Sequence, residues 1–316
     1  MKIVVLDKAT LGKDISFSEI EKNDEVVMYS TSTEEEVLER VCDAEIIIIN
    51  KIKINENVLK YTPKLKLICV AATGFDNIDI ESCKNHNVAV CNVVGYSTHS
   101  VAQVTVALVL SLSVNLKSFT KFVESGEYEK SGVANKLTPV YHELCGKTWG
   151  IIGYGNIGKQ VGRVATALGC NVVVNKRTPC DGVNCVDLKT LCEISDIITI
   201  HTPLNEHTKG MIDKKMLSFM KKNVIIVNTA RGLVTDEEAI CDFIEKGKIG
   251  AFGTDVYSKE PFPKSHPFNR IKDMENVCLT PHMAWGSYES RKRCIDEIYK
   301  NIVAYKNGEL RNRIDK

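Results

Sequence analysis

Residues 153–158 read GYGNIG, a G-x-G-x-x-G spacing whose chemistry is the capture of a pyrophosphate. Gly153 makes a tight turn, Gly155 lets backbone approach the phosphates, and Gly158 lets a helix pack closely on a strand. Free N–H groups at the start of that helix then face the anion. The spacing alone is a weak signal, and its neighbours strengthen it. WGII before it reads as a buried strand. KQVGRVATALG after it reads as a helix with apolar positions at Val161, Val164, Ala165 and Leu168. In such a unit an Asp or Glu about 20 residues further on holds the ribose diol of NAD. Here the search ends in VVVNKRTP (172–179), on Lys176 and Arg177. Two cations and the hydroxyl of Thr178 suit a 2′-phosphate, which an acid would repel and a guanidinium binds bidentately. The nearest downstream acid, Asp181, lies beyond Pro179. The pattern predicts NADP(H) over NAD(H). The plainer alternative is a solvated strand end in an NAD protein.

A turn of this kind needs a doubly wound sheet to hold it, and the chain reads as two. Its 316 residues suggest two domains. Up to about residue 95, strands at 2–7, 25–29, 45–50, 65–74 and 88–93 alternate with helices such as 33–44 and 79–87. Thr33 and an acidic first turn mark the start of the first of these helices. Alternation of this type implies a parallel sheet covered on both faces. Residues 98 to about 122 read as one long helix, apolar on most sides. A second series starts at 147, with strands at 171–175, 196–200, 223–228, 249–255 and 276–280. A charged amphipathic helix fills 286–305, with Tyr288, Ile295, Ile298 and Ile302 on one side and Gly308 after it. The expectation is an α/β protein of two doubly wound, Rossmann-like domains. Residues 1–97 plus 289–316 form a discontinuous flavodoxin-like domain, and 98–288 the dinucleotide-binding domain. Ligands of such folds sit at the carboxyl ends of strands, so the site is expected in the inter-domain cleft. Hinges near 97–99 and 287–289 would close it.

Composition excludes several other classes. The chain is 44% hydrophobic and 26% charged with a net charge of +1, which gives no broad electrostatic case for nucleic acid or a membrane surface. No apolar run approaches the roughly 20 residues that cross a bilayer. MKIVVLDK lacks the features of a signal peptide, so a cytoplasmic protein is expected. The 12 cysteines form no CxxC pair, and Cys69, Cys91, Cys170 and Cys278 sit in apolar segments. They read as reduced core residues. Cys83, His86 and Cys91 lack a fourth partner for a metal, and no metal is expected.

Seven stretches together carry a resemblance. They are ATGFDNID (72–79), GYSTHSVAQ (95–103), GYGNIG, HTPLNEHT (201–208), NTARG (228–232), GTDVYSKEP (253–261) and TPHMAW (280–285). In this order and spacing the chain resembles the D-isomer-specific 2-hydroxyacid dehydrogenases over nearly its whole length. The ATG, GYST and HMAW stretches are most similar to hydroxypyruvate reductases, also called glycerate dehydrogenases. The resemblance implies a catalytic triad of Arg231, Glu260 and His282. Chemistry agrees: a guanidinium can bind a 2-oxo acid's carboxylate and polarise its ketone. A histidine can supply the proton that must accompany hydride, oriented by a carboxylate. Thr73 and Gly74 would join Arg231 and His282 around the substrate. Asn156 and Ile157 would meet the pyrophosphate through backbone, with Thr202 and Pro203 beside the cofactor. Thr229 and Ala230 would lie alongside Arg231, Asp255 near the nicotinamide carboxamide, and Ala284 completes the cofactor set. His201, His99 and His142 are the other histidines that could be mistaken for the proton donor. Two departures stand out: the strand-end acid is absent, and Gln103 replaces an acid common on the linker helix.

The implied reaction is reversible. A small 2-oxo acid plus NADPH gives a D-2-hydroxy acid plus NADP, with hydroxypyruvate as first choice and glyoxylate second. The alternatives are a D-lactate or branched D-2-hydroxyacid dehydrogenase, distinguished by residues such as Tyr96, Thr98 and Trp285, or a cofactor-sensing corepressor on the same fold. Turnover on any 2-oxo acid separates the last from the rest. The resemblance also implies a homodimer, for which helix 101–112 and the long irregular segment 127–147 are the candidate surfaces.

Overall fold

Four consecutive isoleucines, Ile46–Ile49, are fully buried. Side chains of a strand alternate between two faces, so all four can be buried only when both faces of the sheet are covered. A computed structural model of the chain shows this arrangement twice, in two separate α/β units, and describes residues 1–178 and 182–316. Pro179 and Asp181 lie outside the described residues.

The first unit is Met1–Ser97 with Trp285–Lys316. It contains β1 (Lys2–Val5), α1 (Ser18–Glu21), β2 (Glu25–Met28), α2 (Glu34–Val41), β3 (Ile46–Ile49), α3 (Glu56–Leu59), β4 (Leu67–Val70), α4 (Ile80–Asn85) and β5 (Ala89–Cys91). The strands form one parallel sheet in the order β2-β1-β3-β4-β5, a flavodoxin-like winding that reverses between β1 and β3. Local chemistry starts the helices. Thr33 and Glu36 form a reciprocal capping box on α2, and Asn55 and Asp79 cap α3 and α4. The last helix of the chain covers one face through Cys294, Ile295, Ile298 and Ile302. Val37, Val41, Val58, Leu59 and Cys83 cover the other. The C-terminal tail then protects the open edge at β5. Ile314 N–H donates to Val90 O, and Asp315 Oδ1 accepts from Val90 N–H, each at 3.0 Å.

The second unit is Thr98–Ala284. It begins with α5 (Thr98–Ser113), α6 (Leu116–Glu124) and α7 (Glu127–Lys130). The wound part follows: β6 (Thr148–Ile152), α8 (Asn156–Ala167), β7 (Asn171–Asn175), β8 (Asn184–Cys185), α9 (Leu188–Ile194), β9 (Ile197–Ile200), α10 (Lys214–Phe219), β10 (Ile225–Asn228), α11 (Glu237–Glu245), β11 (Ala251–Thr254) and β12 (Val277–Leu279). The chain's last helix, α12 (Tyr288–Lys306), belongs to the first unit. The seven strands are parallel in the order β12-β11-β10-β9-β6-β7-β8. The winding reverses between β6 and β9, so the GYGNIG turn after β6 stands at the switch point. Helices α5 and α8 cover one face around the fully buried Trp149, and α9, α10 and α11 cover the other.

Several expectations change. The long helix over 98–122 is two helices, bent by 67°. Asn115 breaks it by taking the left-handed conformation at φ 52°, which asparagine tolerates better than most residues. The return to the first unit falls between Ala284 and Trp285, four residues earlier than expected, because Trp285 packs edge-on against Tyr96 at 6.3 Å. Tyr288 is exposed, while Ile295, Ile298 and Ile302 are buried. The short β8 was not expected. No single helix among the described residues is long and apolar enough to cross a membrane.

Candidate active site

Gly153 has φ +89°, and a Cβ there would lie 2.7–2.8 Å from the backbone of His201 and Thr202. Only glycine suits both the conformation and the contact. A Cβ on Gly158 would lie 2.3 Å from Gly153 O, which seats α8 on the turn, whereas a Cβ on Gly155 would enter open space. Gly155 is the N-cap of α8, with no side chain closing the helix end. The N–H groups of Asn156 and Ile157 therefore start an uncapped helix above open space, a cradle that fits a pyrophosphate. At the end of neighbouring β7, Lys176 is half-buried and Arg177 and Thr178 are exposed. Among the described residues neither cation has a carboxylate partner. Asn175 fixes the strand end, its Nδ2 donating to Val186 O at 3.0 Å and its carbonyl accepting from Gly153 N–H at 2.9 Å.

Arg231, Glu260 and His282 follow β10, β11 and β12, three neighbouring strands. His282 Nδ1 lies 2.5 Å from Glu260 Oε2, with the two side chains 22% and 28% exposed. The other carboxylate oxygen accepts from Tyr257 N–H at 3.0 Å. His282 itself is held at φ +52°, a conformation uncommon outside glycine and typical of functional turns. Asp255 stabilises that turn. It is buried, accepts from Thr280 Oγ1 and Met283 N–H on Oδ1 at 2.6 and 2.8 Å, and from Ala284 N–H on Oδ2 at 2.8 Å. Both Asp255 oxygens are thus committed to the His282 loop. Ala284 is buried, and its carbonyl accepts from Ser100 Oγ at 2.6 Å.

Asn228 shapes the Arg231 turn in the same way. Its Oδ1 accepts from Ala230 N–H at 3.0 Å and its Nδ2 donates to Arg231 O at 2.9 Å. Arg231 is half-buried, with one guanidinium nitrogen donating to Ala230 O at 2.8 Å. The Thr229 hydroxyl meets Thr105 Oγ1 at 2.8 Å in the core. Thr202 and Pro203 lie on the loop after β9, closed by Thr208 Oγ1 donating to Pro203 O at 2.6 Å. Asn228 and Tyr257 were not singled out from the sequence. Asn228 was legible in principle, since an Asn at a strand end two residues before a turn commonly bonds the backbone of that turn.

In the first unit, Thr73 and Gly74 follow β4. Thr73 Oγ1 donates to Val93 O, and Asn92 Nδ2 donates to Thr73 O, both at 2.7 Å. Asn92 O in turn accepts from the buried Asn301 of α12 at 3.0 Å. The strand-end loop is therefore fastened to the helix that returns from the far end of the chain.

The other histidines separate clearly. His99 and His142 are exposed, as is Gln103. His201 follows β9, and both ring nitrogens are out of contact with solvent and without a hydrogen-bond partner among the described residues. Burial pushes this imidazole down to about 3, so it stays neutral and cannot carry a proton near pH 7. His86 pairs with Glu56 at 3.2 Å, and burial pushes the thiols of Cys83 and Cys91 up to about 12 and about 11.

Two units built on parallel sheets, one with a phosphate-cradling turn at its switch point and a histidine–carboxylate pair at strand ends of the same sheet, define a nicotinamide-dependent oxidoreductase. A family model described as D-isomer specific 2-hydroxyacid dehydrogenase, NAD binding domain, matches residues 106–284. The glycerate dehydrogenase of Methylorubrum extorquens is 37% identical over 99% of this chain and 99% of its own. The hydroxypyruvate reductase of Blautia hydrogenotrophica is 34% identical over the whole of both chains, 100% of each. The structure of D-lactate dehydrogenase from Aquifex aeolicus, complexed with NAD and lactic acid, matches with a TM-score of 0.89 and 28% identity, covering 100% of this chain and 99% of that one. The chain belongs to the D-isomer-specific 2-hydroxyacid dehydrogenase family.

Proposed function

We propose that this protein reduces hydroxypyruvate to D-glycerate, takes glyoxylate as a second substrate, and prefers NADPH to NADH. The observation that carries the reading is the His282–Glu260 pair at 2.5 Å, set at the strand end beside those of Arg231 and Asp255. Glu260 holds one ring nitrogen, which assigns proton transfer to the other, Nε2. When bound, the cofactor supplies hydride to the substrate's ketone carbon. Arg231 binds the carboxylate and polarises the ketone oxygen, and His282 protonates that oxygen as charge develops. Glu260 orients the imidazole through its Nδ1. Thr73 and Gly74 end a strand of the first unit, and a strand-end loop of this kind suits an anion.

Cofactor preference rests on this chain's own cations, since the D-lactate dehydrogenase structure named above holds NAD. Lys176 and Arg177 stand at the end of β7, where a ribose-binding acid would repel a 2′-phosphate. Curated relatives named for glycerate and hydroxypyruvate favour hydroxypyruvate over lactate or branched substrates and over a corepressor role. We also place the protein in the cytoplasm, as a homodimer.

Initial rates of hydroxypyruvate reduction with each cofactor test the proposal. NADPH should be preferred. Lys176→Asp combined with Arg177→Ser should weaken NADPH by about tenfold to hundredfold through two lost charge-assisted contacts, and leave NADH usable. Equal or better rates with NADH overturn the NADPH preference. Turnover on pyruvate but not on hydroxypyruvate overturns the substrate.

A further inference from the structure

One buried polar cluster stands behind the turns that carry Arg231, Glu260 and His282. Glu237, at the start of α11, is 7% exposed. Its Oε1 accepts from Ser258 N–H at 2.8 Å, and its Oε2 accepts from Ser258 Oγ at 2.5 Å and meets His266 Nε2 at 3.0 Å. His266 Nδ1 accepts from Phe268 N–H at 3.3 Å, which puts the ring proton on Nε2, aimed at Glu237. The rings of Tyr257, Phe262 and Phe268 enclose the imidazole at centroid distances of 6.0, 4.9 and 5.1 Å. A buried carboxylate is costly, and an apolar cluster of equal volume would serve packing as well. What the polar version adds is direction: it pins one peptide, Tyr257–Ser258.

From the two residues of that peptide, contacts lead to each of the three turns. Tyr257 N–H holds Glu260 Oε1, leaving Oε2 to His282. Tyr257 Oη donates at 2.7 Å to Thr280 O, two residues before His282. Gly232, next to Arg231, sits so close that a Cβ would lie 2.0 Å from Tyr257 C and 2.3 Å from Ser258 N. We propose that Glu237, His266 and Ser258 are positioning residues for this reaction, anchoring the peptide on which the Arg231, Glu260 and His282 turns converge. The inference rests on the reading of His282 as proton donor.

The test compares Glu237→Gln, His266→Phe and His266→Gln with the wild-type holoenzyme, measuring kcat, KM, NADPH binding by fluorescence and the pH profile of reduction. Misplaced catalytic groups should lower kcat by about tenfold to hundredfold in Glu237→Gln and His266→Phe. NADPH binding should stay within about twofold. The pH profile of reduction should change in the same sense as it does in Glu260→Gln. His266→Gln retains a donor and should recover most of kcat. A fall in melting temperature with kcat and pH profile unchanged would make the cluster merely structural and overturn the inference. If Glu237→Gln does not fold, Ser258→Ala carries the same test: it removes one bond at the loop, and an unchanged kcat and pH profile there is equally fatal. His282→Asn separates the two claims. Activity surviving in His282→Asn sinks the proton-donor reading itself. Activity lost there, with the cluster variants at wild-type rates, sinks only the positioning role.

Discussion

Asp255 illustrates how single residues here act on chemistry they need not touch. Its buried carboxylate takes three hydrogen bonds, all from the loop that carries His282. An amide in its place would turn an NH2 toward backbone donors. Removing a charged, buried acceptor costs about 1.5–3 kcal/mol per bond. Asp255→Asn should therefore lower the free energy of unfolding by about 2–3 kcal/mol in urea titrations and reduce kcat at least about tenfold through a displaced His282. Gly232→Ala works by a different route. The added methyl meets backbone rather than a flexible side chain, so overpacking should cost about 1–3 kcal/mol and shift the Arg231 turn. We expect its KM for 2-oxo acid to rise, with NADPH binding little changed. An unaltered KM would show that the turn yields without moving Arg231. His201 is the contrasting case. Its imidazole is neutral down to about pH 3, so His201→Asn should leave the pH profile of reduction where it is in the wild type.

At the scale of elements, helix starts and one sheet edge carry the testable consequences. Asp187 caps α9, and its bonds to the Thr190 hydroxyl and N–H hold its carboxyl below the usual value. Asp79 does the same for α4 through the Ser82 N–H and hydroxyl. A carboxyl whose folded value is depressed stabilises the fold fully above its unfolded value, near pH 4, and loses that contribution as pH falls through the lower folded value. Melting temperature should thus decline below about pH 4, and the decline should be shallower in Asp187→Ala. The β5 edge depends on the tail. Asp315 holds Val90 N–H and also pairs with Arg313. Asp315→Ala should cost about 1–3 kcal/mol by leaving a buried donor unmet, and deletion of residues 310–316 should expose an edge prone to pairing with other chains. Light scattering on heating would report it.

At the scale of the whole molecule, the proposed homodimer needs a surface. Leu116, Val123, Val133, Leu137, Val140 and Tyr141 are all more than half exposed, within one stretch of 26 residues that carries α6, α7 and an irregular segment. Exposed apolar groups of this kind are what the proposed homodimer would cover. Sedimentation should give a dimer at micromolar concentration, and Leu137→Asp with Val140→Asp should give a monomer. A wild-type monomer removes the homodimer from the proposal.

The sequence by itself determined the doubly wound class of both sheets and every strand but β8. Strands buried on two faces must be apolar throughout, so Ile46–Ile49 and the runs like it announce themselves. The GYGNIG turn was legible from its spacing between a strand and a helix, although of its glycines Gly158 answers to a local contact and Gly153 to the backbone of His201 and Thr202. Arg231, Glu260 and His282 were legible through a resemblance that implied a carboxylate orienting the histidine, but the contact between Glu260 and His282 needed the sheet. Glu260 and His282 are 22 residues apart, and their 2.5 Å separation follows from β11 and β12 lying side by side. Tertiary structure alone decided the break at Asn115, the crossing at Ala284–Trp285 and the burial of Glu237 against His266. The crossing and the burial depend on what a distant segment presents, a tyrosine ring or a histidine 29 positions away, and the break depends on which of its accessible conformations Asn115 adopts.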